Sequence, residues 1–281
     1  MSKVSYVNGN YLSNDKSLIS INDRSFHFSD AVYEVIPVFN KNLVFWNEHL
    51  DRLEKSLKYL QIDFPLNKKI LYFKCKEVIE RNDMHEGILY LHISRGIETR
   101  NHNWSDKIIP SLIITVINKK IFNFSQRPIS LITDDDIRWK KAYIKSTSLL
   151  PNVLLKKKAT LMGAGECILK DRKGYITEAT HSNIFIVKKG CLITPPLKKN
   201  ILPGITRKKI LDYANDLKIN TAIKSFTEKD IYTSECAFIS NSSSFIIEAN
   251  RLNKKALKIV NKDIVKEIKI KFKEALNNNV C

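Results

Sequence analysis

Apolar and polar residues first alternate along the chain with a period of two, which predicts strands at its start. Lys3-Val4-Ser5-Tyr6-Val7 alternates, Asn8-Gly9-Asn10 supplies a turn and Tyr11-Leu12 resumes the pattern, the signature of a hairpin. A second hairpin is expected from Tyr33 to Phe39 and from Leu43 to Phe45, flanking Asn40-Lys41-Asn42. Pro37 puts the first of these strands at an edge or a bulge, because proline cannot donate to a ladder. The period then changes. Leu50, Leu53, Leu57 and Leu60 recur at helical spacing behind Asn47 as cap and ahead of Pro65. A helix over Leu71 to Ile79 and strands over Gly87 to Ser94 and Ser111 to Ile117 follow, and the polar stretch Asn118 to Phe124 reads as a linker. Beyond it, short apolar runs predict strands at Ile129 to Thr133, Cys167 to Lys170, Asn183 to Val187, Cys191 to Thr194 and Ala237 to Ser240. Helices are expected at Val153 to Met162, Thr206 to Leu217 and Lys262 to Ala275. No internal repeat is visible, which disfavours solenoids and propellers. The expected fold class is α+β, with a small N-terminal domain over 1–118, a linker over 119–124 and a larger C-terminal domain over 125–281 that carries Lys145.

Composition narrows the class. A chain of 281 residues, 43% hydrophobic and 27% charged, can bury a core, and eight glycines with eight prolines exclude collagen-like and low-complexity chains. The longest apolar runs, such as Leu112 to Ile117, fall far short of the ~20 residues of a membrane-spanning helix, so no membrane association is expected. The opening residues show no apolar leader pattern, and a cytoplasmic location is expected. Cys75, Cys167, Cys191, Cys236 and Cys281 are scattered without any Cys-x-x-Cys pair, which argues for free thiols and against a metal site. The net charge of +18 suggests a nucleic-acid partner at first sight. However, 37 of the 47 basic residues are lysines, spread in groups such as Lys156 to Lys158 and Lys198-Lys199 with no single stripe, which disfavours that partner.

Several segments carry candidate chemistry. Leu202-Pro203-Gly204-Ile205-Thr206-Arg207 leads into an amphipathic helix, so its backbone N–H groups suit an anion or phosphate, or simply begin a helix. Strand alternation over Asp136 to Ser146 would put Trp139, Lys141, Tyr143 and Lys145 on one face. A desolvated lysine there can act as an amine nucleophile, but spacing alone does not single out Lys145. Thr177 to Asn183 and Ser240 to Ser244 are hydroxyl-rich loops suited to an anion, and Arg95 to His102 offers two arginines and a histidine for a carboxylate or a plain surface loop.

These segments fall in a familiar order. Asp23-Arg24, Phe28 to Val35, Asn47 to Leu53, Arg95-Gly96, Arg100-Asn101-His102, Asp136 to Trp139, Ile144-Lys145-Ser146, Leu149 to Leu154, Thr177-Glu178, Ser182 to Phe185 and Leu202 to Arg207 together resemble the fold-type IV pyridoxal-phosphate enzymes, in their D-amino-acid transaminase branch. The resemblance spans residues 3 to about 250. It implies a two-domain fold, with a small α/β lobe and a larger lobe built on a β-barrel-like sheet. It implies pyridoxal 5'-phosphate as cofactor, Lys145 as the catalytic lysine that carries it and moves the substrate proton, and Glu178 facing the pyridine nitrogen. Ile205, Thr206, Arg52 and Ser242 would hold the phosphate. Tyr33, Arg100 and His102 would trap the substrate carboxylate, with Tyr90 beside them. The Arg-x-His pair of the family reaches in from a neighbouring subunit, which implies a homodimer. The expected reaction is transamination between D-amino acids (D-alanine, D-glutamate, D-aspartate) and 2-oxo acids. An L-branched-chain aminotransferase and an aminodeoxychorismate lyase share the fold, and Arg100-x-His102 speaks against both; a basic nucleic-acid-binding protein is the more distant alternative.

The chain departs from the family in places. Ser25, Ser29 and Ala31 stand at family glycine positions, where a positive φ would cost about 1 to 3 kcal/mol. Asn40-Lys41-Asn42 replaces an Asn-Gly turn, tolerable because asparagine accepts the left-handed region. Ala179-Thr180-His181 replaces a small hydroxyl run, and Phe245-Ile246-Ile247-Glu248 departs beside the expected side-chain pocket.

Overall fold

A computed structural model describes residues 3–124, 126–198, 200–260 and 263–277. Lys199, the expected helix start at Lys262, the expected domain start at 125 and Cys281 lie outside the described residues. The chain divides into two compact units, residues 3–121 with Ile144–Ser148, and Phe122–Tyr143 with 149–277.

The first unit contains β1 (Val4–Val7), β2 (Asn10–Ser13), α1 (Arg24–Phe28), β3 (Ala31–Phe39), β4 (Asn42–Leu43), α2 (Trp46–Leu60), α3 (Lys68–Arg81), β5 (Glu86–Ser94) and β6 (Ser111–Asn118). Its strands form one antiparallel sheet in the order β2-β1-β6-β5-β3-β4. Alternation sends Val32, Ile36, Val38, Leu89, Leu91, Ile93, Ile114 and Val116 into one core with Leu50, Leu53 and Leu57 of α2 and Leu71, Cys75 and Val78 of α3. Each such side chain contributes about 1.5–3 kcal/mol when fully buried. The opposite face presents the half-buried Tyr33, Val35, Tyr90 and His92.

Edge chemistry explains Pro37. Its carbonyl accepts from Val44 N at 2.9 Å, so its missing N–H lies on the side of the short edge strand β4. The turn before β4 uses Asn40 (φ 48°) and Lys41 (φ 63°) in the left-handed region, so the tolerance of asparagine covers only half of it. Asn47 does not cap α2. The helix begins at Trp46 after Phe45, whose φ of 56° turns the chain without a side-chain cap.

The second unit contains β7 (Ile129–Asp135), α4 (Leu150–Leu161), β8 (Glu166–Lys170), β9 (Ile176–Ala179), β10 (Asn183–Lys188), β11 (Cys191–Thr194), α5 (Ile205–Asp216), β12 (Thr221–Ile223), α6 (Glu228–Tyr232), β13 (Cys236–Asn241), β14 (Phe245–Leu252), β15 (Lys255–Ala256) and α7 (Asp263–Asn277). Its sheet runs β12-β11-β10-β13-β14-β7-β8-β9, with β15 beside β14. The pairs β11·β12, β14·β7 and β7·β8 are parallel and the rest antiparallel, around a core that includes Leu131, Ile168, Ile184, Ile186, Phe226 and Ile239. No helix among the described residues is long and apolar enough to cross a membrane.

Two expectations change here. Asp136 to Ser146 is not a strand: 136–143 run as loop and turn, where Asp136 Oδ1 takes the Arg138 N–H and competes with any ladder. The Lys145 segment packs with the first unit rather than the second. β4 pairs with β3 only at Val38 and Phe39, which leaves the edge at Ala31–Tyr33 open. Tyr33 N donates to Lys145 O at 3.0 Å, Thr147 N donates to Ala31 O at 3.1 Å, and Ser146 bridges Val32.

Of the three family glycine positions, Ser25 is helical and Ala31 lies in β3, so neither is strained. Ser29 alone adopts a positive φ, 53°, as it ends α1. Ser29→Val is therefore expected to lower unfolding stability by about 1 to 3 kcal/mol, while Ser29→Gly leaves it equal or higher, as read by urea denaturation.

Candidate active site

Lys145 rests on two elements. Its backbone N–H donates to Ser56 Oγ of α2 at 3.3 Å, and its Nζ lies 4.3 Å from the centre of the Tyr33 ring. Tyr33 and Tyr90 project from the same face of neighbouring strands, with ring centres 5.5 Å apart, and Tyr90 Oη meets His92 Nδ1 at 3.3 Å. Burial pushes the Tyr90 hydroxyl up to about 12, so it remains a phenol at neutral pH.

On the core face of β3, between Val32 and Ile36, stands Glu34, fully buried. A carboxylate there requires compensation, and α2 provides it. Arg52 donates from Nε and Nη2 to its two oxygens at 2.8 Å each, and His49 Nδ1 sits 2.7 Å from Oε2. Burial alone would raise the Glu34 carboxyl, but Arg52 and then His49 outweigh it and hold it at about 2. His49 is lowered too, but by burial, against the pull of Glu34, and its Nε2 is buried without a hydrogen-bond partner. Neither Glu34 nor His49 was expected from the sequence. The signal was present, an acid in register with core residues and a histidine three positions before an arginine on one helix face.

In the second unit Glu178 is the last but one residue of β9, buried. Arg138 Nη1 donates to its Oε1, Asn183 Nδ2 donates to Oε2 at 3.0 Å, and Leu202 N donates to both oxygens at 3.2 Å. Arg138 is shared: Asp136 takes its Nε and Nη2 at 2.9 and 2.7 Å, and Asn200 O accepts from Nη2 at 2.8 Å. Burial consequently dominates at Glu178 and pushes its carboxyl up to about 7, with Arg138 and Leu202 opposing and Asp136 adding to the rise. Arg138 and Asn183 act on Glu178 and were not singled out from the sequence, although both lie in the segments that carry the resemblance.

Asn183 also ties Glu178 to the start of α5, since its Nδ2 donates to Leu202 O at 3.1 Å. Gly204 precedes the helix with no side chain capping it, and a Cβ at 204 would collide with Asn183 Oδ1. Only glycine fits this approach. Ile205, Thr206 and Arg207 are buried in the first turn, and Arg207 Nε has no hydrogen-bond partner. Helix α5 packs on β13, whose end leads to the half-buried Ser242. Thr180 and His181 of the departing run both engage the buried Glu166, His181 Nδ1 at 2.5 Å and Thr180 through its hydroxyl.

Arg100 and His102 are exposed on the loop between β5 and β6, and both lie 5.3 Å from the Phe28 ring centre. The expected site residues of the first unit thus fall into two groups, Tyr33 with Tyr90 and Lys145 in one and Arg100 with His102 in the other, while Arg52 stands apart on Glu34. Ile205 and Thr206 stand together, with Glu178 linked to them through Asn183.

This arrangement has known counterparts. The family model of class IV amino-transferases matches residues 31–252. A D-alanine aminotransferase from Bacillus licheniformis is 34% identical over 247 residues, 88% of this chain and 87% of that one. A D-alanine aminotransferase from Listeria innocua serovar 6a is 33% identical over 241 residues, 84% and 83% of the two chains. Among solved structures, a branched-chain amino acid aminotransferase from Escherichia coli superposes with a TM-score of 0.90 at 22% identity, over 98% of this chain and 95% of its own. The chain belongs to the class IV amino-transferases and is an aminotransferase of the fold-type IV architecture.

The two buried carboxyls have opposite linkage to pH. Glu34, lowered from 4.5 to about 2, stabilises the fold above pH ~4.5, and that contribution is lost as pH falls through about 2. Glu178, raised from 4.5 to about 7, keeps a proton in the folded chain that the unfolded chain has lost, so its contribution falls as pH rises across that interval. In ligand-free protein, Glu178→Gln is expected to flatten the decline in stability between pH 4.5 and 7 relative to wild type. Denaturant titrations at both pH values check this.

Proposed function

We propose that the protein transfers amino groups between D-amino acids, such as D-alanine, D-glutamate and D-aspartate, and 2-oxo acids, with pyridoxal 5'-phosphate as cofactor and as a homodimer. The side chains fit that cofactor. The start of α5 has no side-chain cap, so its first backbone N–H groups and the positive end of the helix suit a phosphate. Glu178 is a buried carboxyl left incompletely compensated, which suits a cationic ring N–H. When bound, the cofactor supplies an electron sink for the substrate Cα.

The protein's own residues do the rest. Ile205 and Thr206 hold the phosphate through backbone N–H groups, with Arg52 as countercharge and Ser242 as hydroxyl donor. Glu178 holds the proton on the ring nitrogen, and Arg138 and Asn183 fix its two oxygens. Lys145 carries the cofactor through its amine and moves the proton at the substrate Cα. Tyr33, Arg100 and His102 take the substrate carboxylate, Tyr90 borders them, and Arg100 with His102 serves the neighbouring subunit. Where the carboxylate is held decides which face of Cα meets Lys145, and so the handedness of the substrate.

The observation that carries the D-amino-acid reading is the presentation of Arg100 and His102 together on Phe28, supported by the two D-alanine aminotransferases at 34% and 33% identity. The test is a half-reaction, in which cofactor-loaded protein is mixed separately with D-alanine, D-glutamate, D-aspartate, L-leucine and aminodeoxychorismate while the visible cofactor band is followed. Loss of the band with the D-amino acids alone is expected, and Lys145→Ala is expected to slow it by about 10²- to 10⁴-fold. Loss with L-leucine, or pyruvate release from aminodeoxychorismate, would replace this reading by one of its same-fold alternatives.

A further inference from the structure

The loop that carries Arg100 and His102 is exposed from Asn101 to Lys107, and a polar surface segment of that kind is ordinarily mobile. Here one buried side chain holds it. Arg24 Nη1 donates to Asn101 O at 2.6 Å and Asn103 O at 3.2 Å, and Nη2 donates to His102 O at 3.3 Å. A single guanidinium therefore grips three consecutive carbonyls, which only its planar fork of donors allows. Its third nitrogen, Nε, donates to Asp30 Oδ2 at 2.9 Å, and Asp30 is held in turn by Arg95 through Nε and Nη2 at 2.7 and 3.0 Å.

The position of Arg24 is itself fixed. Its N–H donates to Gly96 O at 2.9 Å, at the root of the same loop. The preceding Asp23 accepts from Ser25 N at 2.9 Å and from Ser94 Oγ at 2.8 Å, which joins α1 to the end of β5. Four residues along, the Phe28 ring lies 4.8 Å from the Arg24 guanidinium carbon and 5.3 Å from both the Arg100 guanidinium carbon and the His102 ring centre. Backbone and side chains of the loop are thus set by the two ends of one short helix.

We propose that Arg24 and Phe28 are positioning residues for the substrate carboxylate: Arg24 fixes the backbone of Asn101 to Asn103, and Phe28 orients the Arg100 and His102 side chains before an amino acid arrives. The inference rests on the reading of Arg100 and His102 as the carboxylate clamp. A clamp ordered in advance loses little freedom when it binds, so its loosening acts on substrates that have a carboxylate and not on those that lack one.

Arg24→Lys keeps a cation beside Asp30 but cannot span three carbonyls. With this variant, KM for D-alanine is expected to rise about 10- to 100-fold while kcat changes less than about threefold. The half-reaction rate with D-alaninol, which has no carboxylate, is expected to stay within about threefold of wild type. Phe28→Leu, at a half-buried site, keeps the test decisive if Arg24→Lys does not fold: it should show the same split, and Phe28→Tyr should restore KM. Parallel losses with D-alanine and D-alaninol, or an unchanged KM in both Arg24→Lys and Phe28→Leu, would overturn the inference. Arg100→Met separates the two levels. If it raises KM for D-alanine and the other variants do not, the clamp stands and the positioning role fails; if it too leaves KM unchanged, the clamp reading fails and the inference falls with it.

Discussion

The open half of one strand edge governs where Lys145 lies in the first unit. β4 pairs with β3 only at Val38 and Phe39, and Ile144–Ser148 occupies the edge at Ala31–Tyr33. That pairing lays Lys145 against the Tyr33 ring. Because successive residues of a strand face opposite ways, it also sets the lysine beside the strand whose next residue, Glu34, enters the core. His49 and Arg52 meet Glu34 there because they lie three apart on α2, on the face that Leu50 and Leu53 bury. One strand edge, one period of two and one helix face account for five side chains.

Two buried carboxyls show how the same chemistry gives opposite results. Glu34 receives two hydrogen bonds from Arg52 as well as His49, and the positive charge beside it exceeds the cost of burial. Glu178 shares Arg138 with Asp136, so the guanidinium is divided between two acids and burial prevails. The first carboxyl is a fixed anion held by Arg52 and His49. The second is short of positive charge, and a cation placed beside it would favour its ionised form.

Much of this was legible in the sequence because it rests on local rules. The Asn8-Gly9 hairpin, the leucine period of α2 and the Gly204 entry to α5 each follow from spacing or turn chemistry, and each forms. β14 was not legible, since Glu248, Asn250 and Arg251 interrupt its apolar run, although β13 precedes it in a hairpin; its pairing with β7 joins residues far apart in sequence. The segment from Asp136 to Ser146 misled because its alternation is real but its hydrogen bonds go to Asp136 and to the edge of β3. Lys145 itself could be picked from 37 lysines only through the resemblance of its surroundings. Glu34 was visible as an acid out of pattern, and the identity of its partners required the packing of α2 on the sheet.

We propose that Lys145, and no other lysine, carries the cofactor. Reduction of cofactor-loaded protein with borohydride, followed by proteolysis and mass mapping, tests it directly. A single pyridoxyl phosphate adduct is expected on the peptide containing Ile144-Lys145-Ser146. An adduct on a different lysine, or label scattered over the surface lysines with none at Lys145, would contradict it.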